Sequence, residues 1–128
     1  MINTEKITIS IWDREFELPV TFEHFSDETV TKEQEKALKK FTSHKKWIVK
    51  SKETTEAYCK EMVSHDDTNE KKDNIFSYLK PERIFVTRSE PHPEVAIMCK
   101  YRYDLEHGLA VVFSNNGDTR VVIQDEIL

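Results

Sequence analysis

The chain has 128 residues, enough for one domain of ordinary size and too few for two, and that length can hold a core without disulfides or a structural metal. Its 38% hydrophobic and 34% charged content predicts a modest core under a highly charged surface. With 19 basic and 24 acidic residues, the net charge of −5 argues against generic nucleic-acid binding and favours basic partners. That charge is uneven: residues 1–30 carry −5, residues 31–72 carry +3 and residues 73–128 carry −3.

Ile7, Ile9 and Ile11 alternate with polar residues, as do Phe16, Leu18, Val20 and Phe22, so two strands are expected with Trp12-Asp13-Arg14 between them. They should form an antiparallel hairpin. Pro19 cannot donate to a ladder, which predicts that the second strand is an edge or carries a bulge, and Glu15, Glu17 and Glu23 would shield such an edge.

Thr31-Lys32-Glu33-Gln34 has the pattern of a capping box and predicts a helix start. Ala37, Leu38 and Phe41 follow helical spacing, and after a break at Thr42-Ser43-His44 the set Ile48, Ser51, Thr55, Tyr58, Cys59 and Met62 resumes it. Two helices, or one kinked helix, are expected. Residues 66–73 read as a solvated linker, and residues 74–79 could add a helical turn before Pro81.

From Ile84 onward the period returns to two, with Ile84 and Val86, then Val95 to Tyr103, then Leu109 to Phe113, then Val121 and Ile123. Asn115-Asn116-Gly117-Asp118 predicts a type I′ turn at Asn-Gly, and residues 104–108 make the preceding turn with Gly108 free to be left-handed. The expected fold is therefore a single α+β domain over residues 1–128, a six-stranded antiparallel sheet in the order ββ-αα-ββββ with the helices on one face. Core positions should include Ile9, Phe16, Leu18, Leu38, Phe41, Tyr58, Met62, Ile97, Cys99, Val111 and Ile123.

No apolar run approaches the ~20 residues of a membrane span, and Met1–Ser10 lacks the features of a signal peptide, so a cytoplasmic protein is expected. Cys59 and Cys99 sit in apolar settings and read as buried reduced thiols, which suits a reducing compartment. An apolar setting raises a thiol pKa, so neither is expected to be a nucleophile. His24, His44, His65 and His92 have polar surroundings and read as surface residues. Gly108 and Gly117 are the only glycines, which excludes the familiar glycine-rich phosphate loops. Lys39, Lys40, Lys45, Lys46, Lys50 and Lys52 surround Trp47, but interleaved Glu33, Glu35, Glu53 and Glu56 favour a solvated helical face over a nucleic-acid surface.

Asp104, Glu106 and His107 form the densest reactive group, and Asp125 or Glu126 could be brought near by the last hairpin. Such a set could bind a divalent metal or place a carboxylate beside a general base, yet no second ligand motif completes a metal site. A polar β-turn with a capping Asp is the plainer reading. Trp12 could cap the sheet or stand exposed as an anchor for a partner. No catalytic residue, cofactor or metal is assigned.

Two patterns occur together: Thr31, Gln34, Ala37 and Leu38 as T-x-x-Q-x-x-A-L, and Asp104, Glu106, His107, Gly108, Leu109 and Val111 as D-x-E-H-G-L-x-V. With Gln124-Asp125 near the end, the chain resembles a family of small uncharacterised bacterial proteins known as a domain of unknown function. The likeness covers most of residues 15–128, and where that family has a Trp before the Asp this chain has Tyr103. The resemblance implies no settled activity. Small acidic proteins of this look often neutralise a toxin, so the expected function is a non-enzymatic protein-binding module, of immunity type, contacting a basic protein through residues 1–30. The alternatives are a metal-dependent or hydrolytic module at Asp104, Glu106 and His107, and a homo-oligomeric scaffold pairing through a sheet edge.

Overall fold

The computed structural model describes residues 4–23, 31–62, 75–88, 92–102 and 104–127. Strands β1 (Thr4–Ile11) and β2 (Arg14–Phe22) are followed by helices α1 (Lys32–Ser43) and α2 (Lys45–Met62). A 3-10 turn (Ile75–Ser77) leads into β3 (Leu79–Val86), β4 (Val95–Tyr101), β5 (Leu109–Phe113) and β6 (Thr119–Ile123), and a second 3-10 turn spans Gln124–Glu126. The class is α+β and the element order is ββ-αα-ββββ, as the periodicities predict. The linker expected over residues 66–73 lies outside the described residues, as does the side chain of Met62.

All six strands join one sheet in the order β1-β2-β3-β4-β5-β6. The expectation of a purely antiparallel sheet is corrected here: β2 pairs with β3 in parallel, Val20–Phe22 opposite Ile84–Val86, while the other four pairings are antiparallel. Two helices intervene between β2 and β3, and a crossover of that length returns the chain to the same end of the sheet, where only parallel pairing is open to it. The expected edge position of β2 is corrected with it, because β1 forms the edge and β2 lies inside. Pro19 sits just before the three residues that pair with β3, so its missing N–H falls outside that ladder. Pro81 is accommodated in another way, beside a register shift between Pro81 and Arg83.

Turn chemistry differs from the expectation in an instructive way. In the loop after β5 only Gly117 has a positive φ (87°), and Ser114 brackets the loop by accepting from the Asp118 amide while donating its own amide to Asp118. This is a type I turn closed by a left-handed glycine, not the type I′ turn expected at Asn116-Gly117. Positive φ at two consecutive residues occurs instead at Trp12 (51°) and Asp13 (71°), which make the two-residue turn between β1 and β2. Gly117 also meets Trp47: a Cβ there would lie 2.4 Å from the indole nitrogen. Trp47 is thus packed against the β5–β6 loop and against His44 (ring centroids 4.6 Å apart) instead of being displayed for stacking.

The inward faces of all six strands and the buried faces of α1 and α2 share one core, from Ile9, Leu18 and Val20 through Phe41, Ile48 and Cys59 to Ile97, Val111 and Phe113. Phe16, Leu38, Tyr58 and Ile123 pack on its margin. The opposite face is polar on β1 and β2, but at its centre Phe85, Ala96, Met98, Ala110 and Val112 form a second buried cluster, against which Val122 and Ile127 pack. Every residue of β5 is consequently buried. The Arg120 guanidinium and the Glu94 carboxylate make a bidentate pair on that face.

Besides its apolar face, which packs in the core through Phe41 and Leu38, helix α1 is fastened at its start by one polar side chain. Gln34 is fully buried; its amide oxygen accepts from the Thr31 amide (2.9 Å) and its own backbone N–H donates to the Thr31 hydroxyl (3.1 Å), completing the capping box. Its amide nitrogen donates onward to the carbonyls of Glu23 (2.6 Å), Thr87 (3.3 Å) and Val86 (3.4 Å), where β2 and β3 end. One residue therefore caps the helix and fastens it to the parallel pair.

Candidate functional site

The turn from β4 to β5 and the turn after β6 lie at the same end of the sheet, because β4–β5 and β5–β6 are successive hairpins. The first is locally self-specified: Asp104 donates its amide to the Tyr101 carbonyl, its carbonyl accepts from the Gly108 amide, and its carboxylate accepts from the His107 amide (3.2 Å). Gly108 then turns the chain with φ +63°, in close contact with the Cys99 carbonyl and the Gln124 side chain. Gln124 donates to the carbonyls of Cys99 (3.0 Å) and Leu109 (3.4 Å), so the C-terminal turn is fastened to the base of the β4–β5 turn. Gln124 is a residue whose role sequence reading did not find. In the sequence it appears only as part of the Gln124-Asp125 pair that the family resemblance includes, one residue after β6.

A Cβ at Gly108 would fall 2.8 Å from the Cys99 carbonyl oxygen and 2.7 Å from the Gln124 amide nitrogen, in a conformation that costs an L-residue about 1–2 kcal/mol. Gly108→Ala is expected to cost about 2–3 kcal/mol in a urea unfolding series, since the Gln124 bonds must give way as well. A loss under about 0.5 kcal/mol would mean that the turn is not clamped.

The structure brings Asp104 and His107 together. His107 Nδ1 lies 3.0 and 3.1 Å from the two carboxylate oxygens of Asp104, so its N–H donates there, and Nε2 faces Asp125 Oδ2 at 4.0 Å. Glu106 is exposed beside them and makes no metal-like group with them: among the described residues no three His, Cys, Asp or Glu side chains are placed to hold a metal ion. The hydrogen bond and the charge of Asp104 push the His107 pKa above its ordinary 6.5. With Nδ1 donating to Asp104 and Nε2 facing Asp125, the imidazole links the two turns, and in its protonated form it has no lone pair to offer a metal.

Because the folded-state pKa is raised, the stabilisation from His107 is present in full below about pH 6.5 and is lost as pH rises through the folded value. Asp104→Asn is expected to lower the His107 pKa towards 6.5 in an NMR titration and to flatten the dependence of Tm on pH in that window. An unchanged His107 pKa would show that Asp104 does not hold it.

Trp12 is corrected as an exposed anchor. It is 5% exposed, its indole N–H donates to the Ser51 hydroxyl at 3.1 Å, and its ring lies 5.9 Å from Phe76. The left-handed backbone of the turn folds the indole over the end of the core. Cys59 and Cys99 are both buried, and burial pushes the Cys99 thiol far above its ordinary range, which removes it as a nucleophile. His44 and His92 are exposed; His24 and His65 lie outside the described residues. Burial first, then Cys59, Glu126 and Asp104, raises the Tyr58 pKa above 10, so its phenol stays protonated at this end of the molecule.

What the corner displays is Leu105. Its side chain is 65% exposed on the clamped turn, with Asp104 and Glu106 beside it in sequence. Lys80, Lys100 and Arg102 border it on the opposite side, where with Phe76 they line a small cleft of about 140 Å³.

Comparison with known proteins adds one decisive observation: the model of a domain of unknown function, DUF6985, matches residues 2–128. The chain belongs to the DUF6985 family. That match covers nearly the whole DUF6985 chain and carries no activity with it. No curated protein and no solved structure gave a significant match to this DUF6985 domain. None of its described helices is long and apolar enough to cross a membrane.

Proposed function

We propose that this protein is a non-enzymatic binding module for a basic protein partner, with toxin neutralisation as its specific form, and that the corner bearing Leu105 is its contact surface. The observation that carries the reading is a large apolar side chain held 65% exposed on a turn clamped by Asp104, Gly108 and Gln124. An exposed leucine on a loose loop would lose entropy on binding, whereas a fixed one is already oriented. Lys80, Lys100 and Arg102 line the cleft beside Leu105, and the exposed acidic groups of this end are the carboxylates of Glu106, Asp125 and Glu126. These carboxylates would speed the approach of a basic partner and fix its orientation, while the leucine supplies buried apolar area.

Among the described residues of the expected contact through 1–30, Trp12 is buried in the core, and those exposed on the hairpin include Asp13, Glu15 and Glu17 and no aromatic side chain. The test is affinity capture from native lysate with wild type, with a Leu105→Asp, Glu106→Lys variant and with a Glu15→Lys, Glu17→Lys variant. One stoichiometric basic protein, retained by the hairpin variant and lost by the corner variant, is the expected result. Loss through the hairpin variant alone would move the surface to β2. No stoichiometric protein in any arm would contradict the binding-module reading.

A further inference from the structure

At the opposite end of the sheet from Leu105, helix α1 stands beside the start of β4 and the β5–β6 loop and encloses a cleft of about 400 Å³. Its size falls within the roughly 300–1,000 Å³ of small-molecule sites. Lys36 and Lys40 project from α1 one turn apart, His92 faces them from the approach to β4, and Asn115 closes the far side. Ala37 and Pro93 supply an apolar floor. Among the described lining residues Glu33 is the one carboxylate, against the ammonium groups of Lys36 and Lys40.

The cleft is built on fixed parts. Gln34 fastens the first turns of α1 to β2 and β3, as described above, and thereby sets the position of Glu33, Lys36 and Ala37. Lys40 Nζ donates to Asn115 Oδ1 at 3.3 Å, which holds one ammonium over the cleft with further N–H donors to offer. Lysine presents a compact ammonium point charge with rotatable donors, the form in which it commonly binds phosphate.

We infer that this cleft binds a small phosphate monoester, with its phosphate against Lys36, Lys40 and His92 and its organic part on Ala37 and Pro93. The site is separate from the Leu105 corner and stands or falls independently of partner binding.

Inorganic phosphate is the probe, titrated into the isotope-labelled protein at constant ionic strength while backbone amide shifts are recorded. Saturable shifts over residues 31–40, 92–94 and 114–117 are expected. Lys36→Ala with Lys40→Ala should weaken binding about tenfold, the order expected for two screened ammonium–phosphate contacts. Glu33→Gln should tighten it by about threefold, an effect that general loosening of the helix would not produce. These side chains are exposed or half-buried, and circular dichroism checks that each variant keeps the fold. Shifts that do not saturate, shifts centred on Lys80 and Lys100 instead, or an affinity unchanged in the double lysine variant would each overturn the inference.

Discussion

Trp12→Ala is expected to lower folding stability by about 3–5 kcal/mol, the range for deleting a buried large aromatic. The indole is 5% exposed, packs near Phe76, and closes the end of the core between β1 and α2. Its N–H is the donor to Ser51 Oγ, and that hydroxyl donates in turn to the Ile48 carbonyl at 2.6 Å within α2. Removing the ring leaves a cavity at a site the surrounding strands cannot easily close, and the left-handed backbone at φ 51° gains nothing from alanine. Urea unfolding followed by circular dichroism measures the loss. Trp12→Phe keeps most of the apolar area and should cost about 1–2 kcal/mol, chiefly the indole hydrogen bond. A loss below about 1 kcal/mol for Trp12→Ala would place the indole outside the core.

Gln34→Leu should cost about 2–4 kcal/mol, although leucine nearly matches the volume. The variant removes the acceptor for the Thr31 amide and the donor for the Glu23 and Thr87 carbonyls, leaving polar groups of the helix start and of the β2 and β3 ends without that partner. Val86 suffers less, since its carbonyl also accepts from the Glu23 amide at 2.9 Å. Thr31→Ala provides the contrast: it removes one half of the capping box and should cost about 1 kcal/mol. Equal losses in the two variants would mean that Gln34 acts as a cap alone and does not fasten α1 to the sheet.

The elements were legible because local physics dictates them. Alternation in Ile7 to Ile11 and in Leu109 to Phe113, and the Thr31–Gln34 box, mark strands and a helix start whatever the rest of the chain does. His44 likewise ends α1, as the polar run Thr42-Ser43-His44 predicts. What was hidden depends on residues far apart in sequence. Parallel pairing of β2 with β3 follows from where the two helices deliver the chain, and three residue pairs carry it.

The left-handed turn at Trp12-Asp13 ran against residue preference. A tryptophan at φ 51° is a poor local choice that burial of its indole offsets, so tertiary packing overrode turn chemistry there, while Asn116-Gly117 lost its expected type I′ turn to a loop one residue longer. Alternation also concealed the second cluster, because Ala96 and Ala110 are small enough to pass for neutral positions on a solvated face.

For the site, Asp104, Glu106 and His107 stood out by chemistry, and the ion pair of His107 with Asp104 is of the turn-stabilising kind that the spacing allows. The weight then falls on Leu105, which drew no notice in sequence because a leucine between two acids in a turn has no periodic signature. Only its exposure, and the clamping of the turn's base by the bond from Gln124 to the Cys99 carbonyl 25 residues away, distinguish it.

The measurement that tests the binding reading most directly is amide hydrogen exchange on the captured complex, compared with the free protein. The account predicts slowed exchange in residues 104–108 and 124–127, with the β1–β2 turn unchanged. Protection confined to the first hairpin, or no protection at the Leu105 turn in a complex that survives purification, would contradict it.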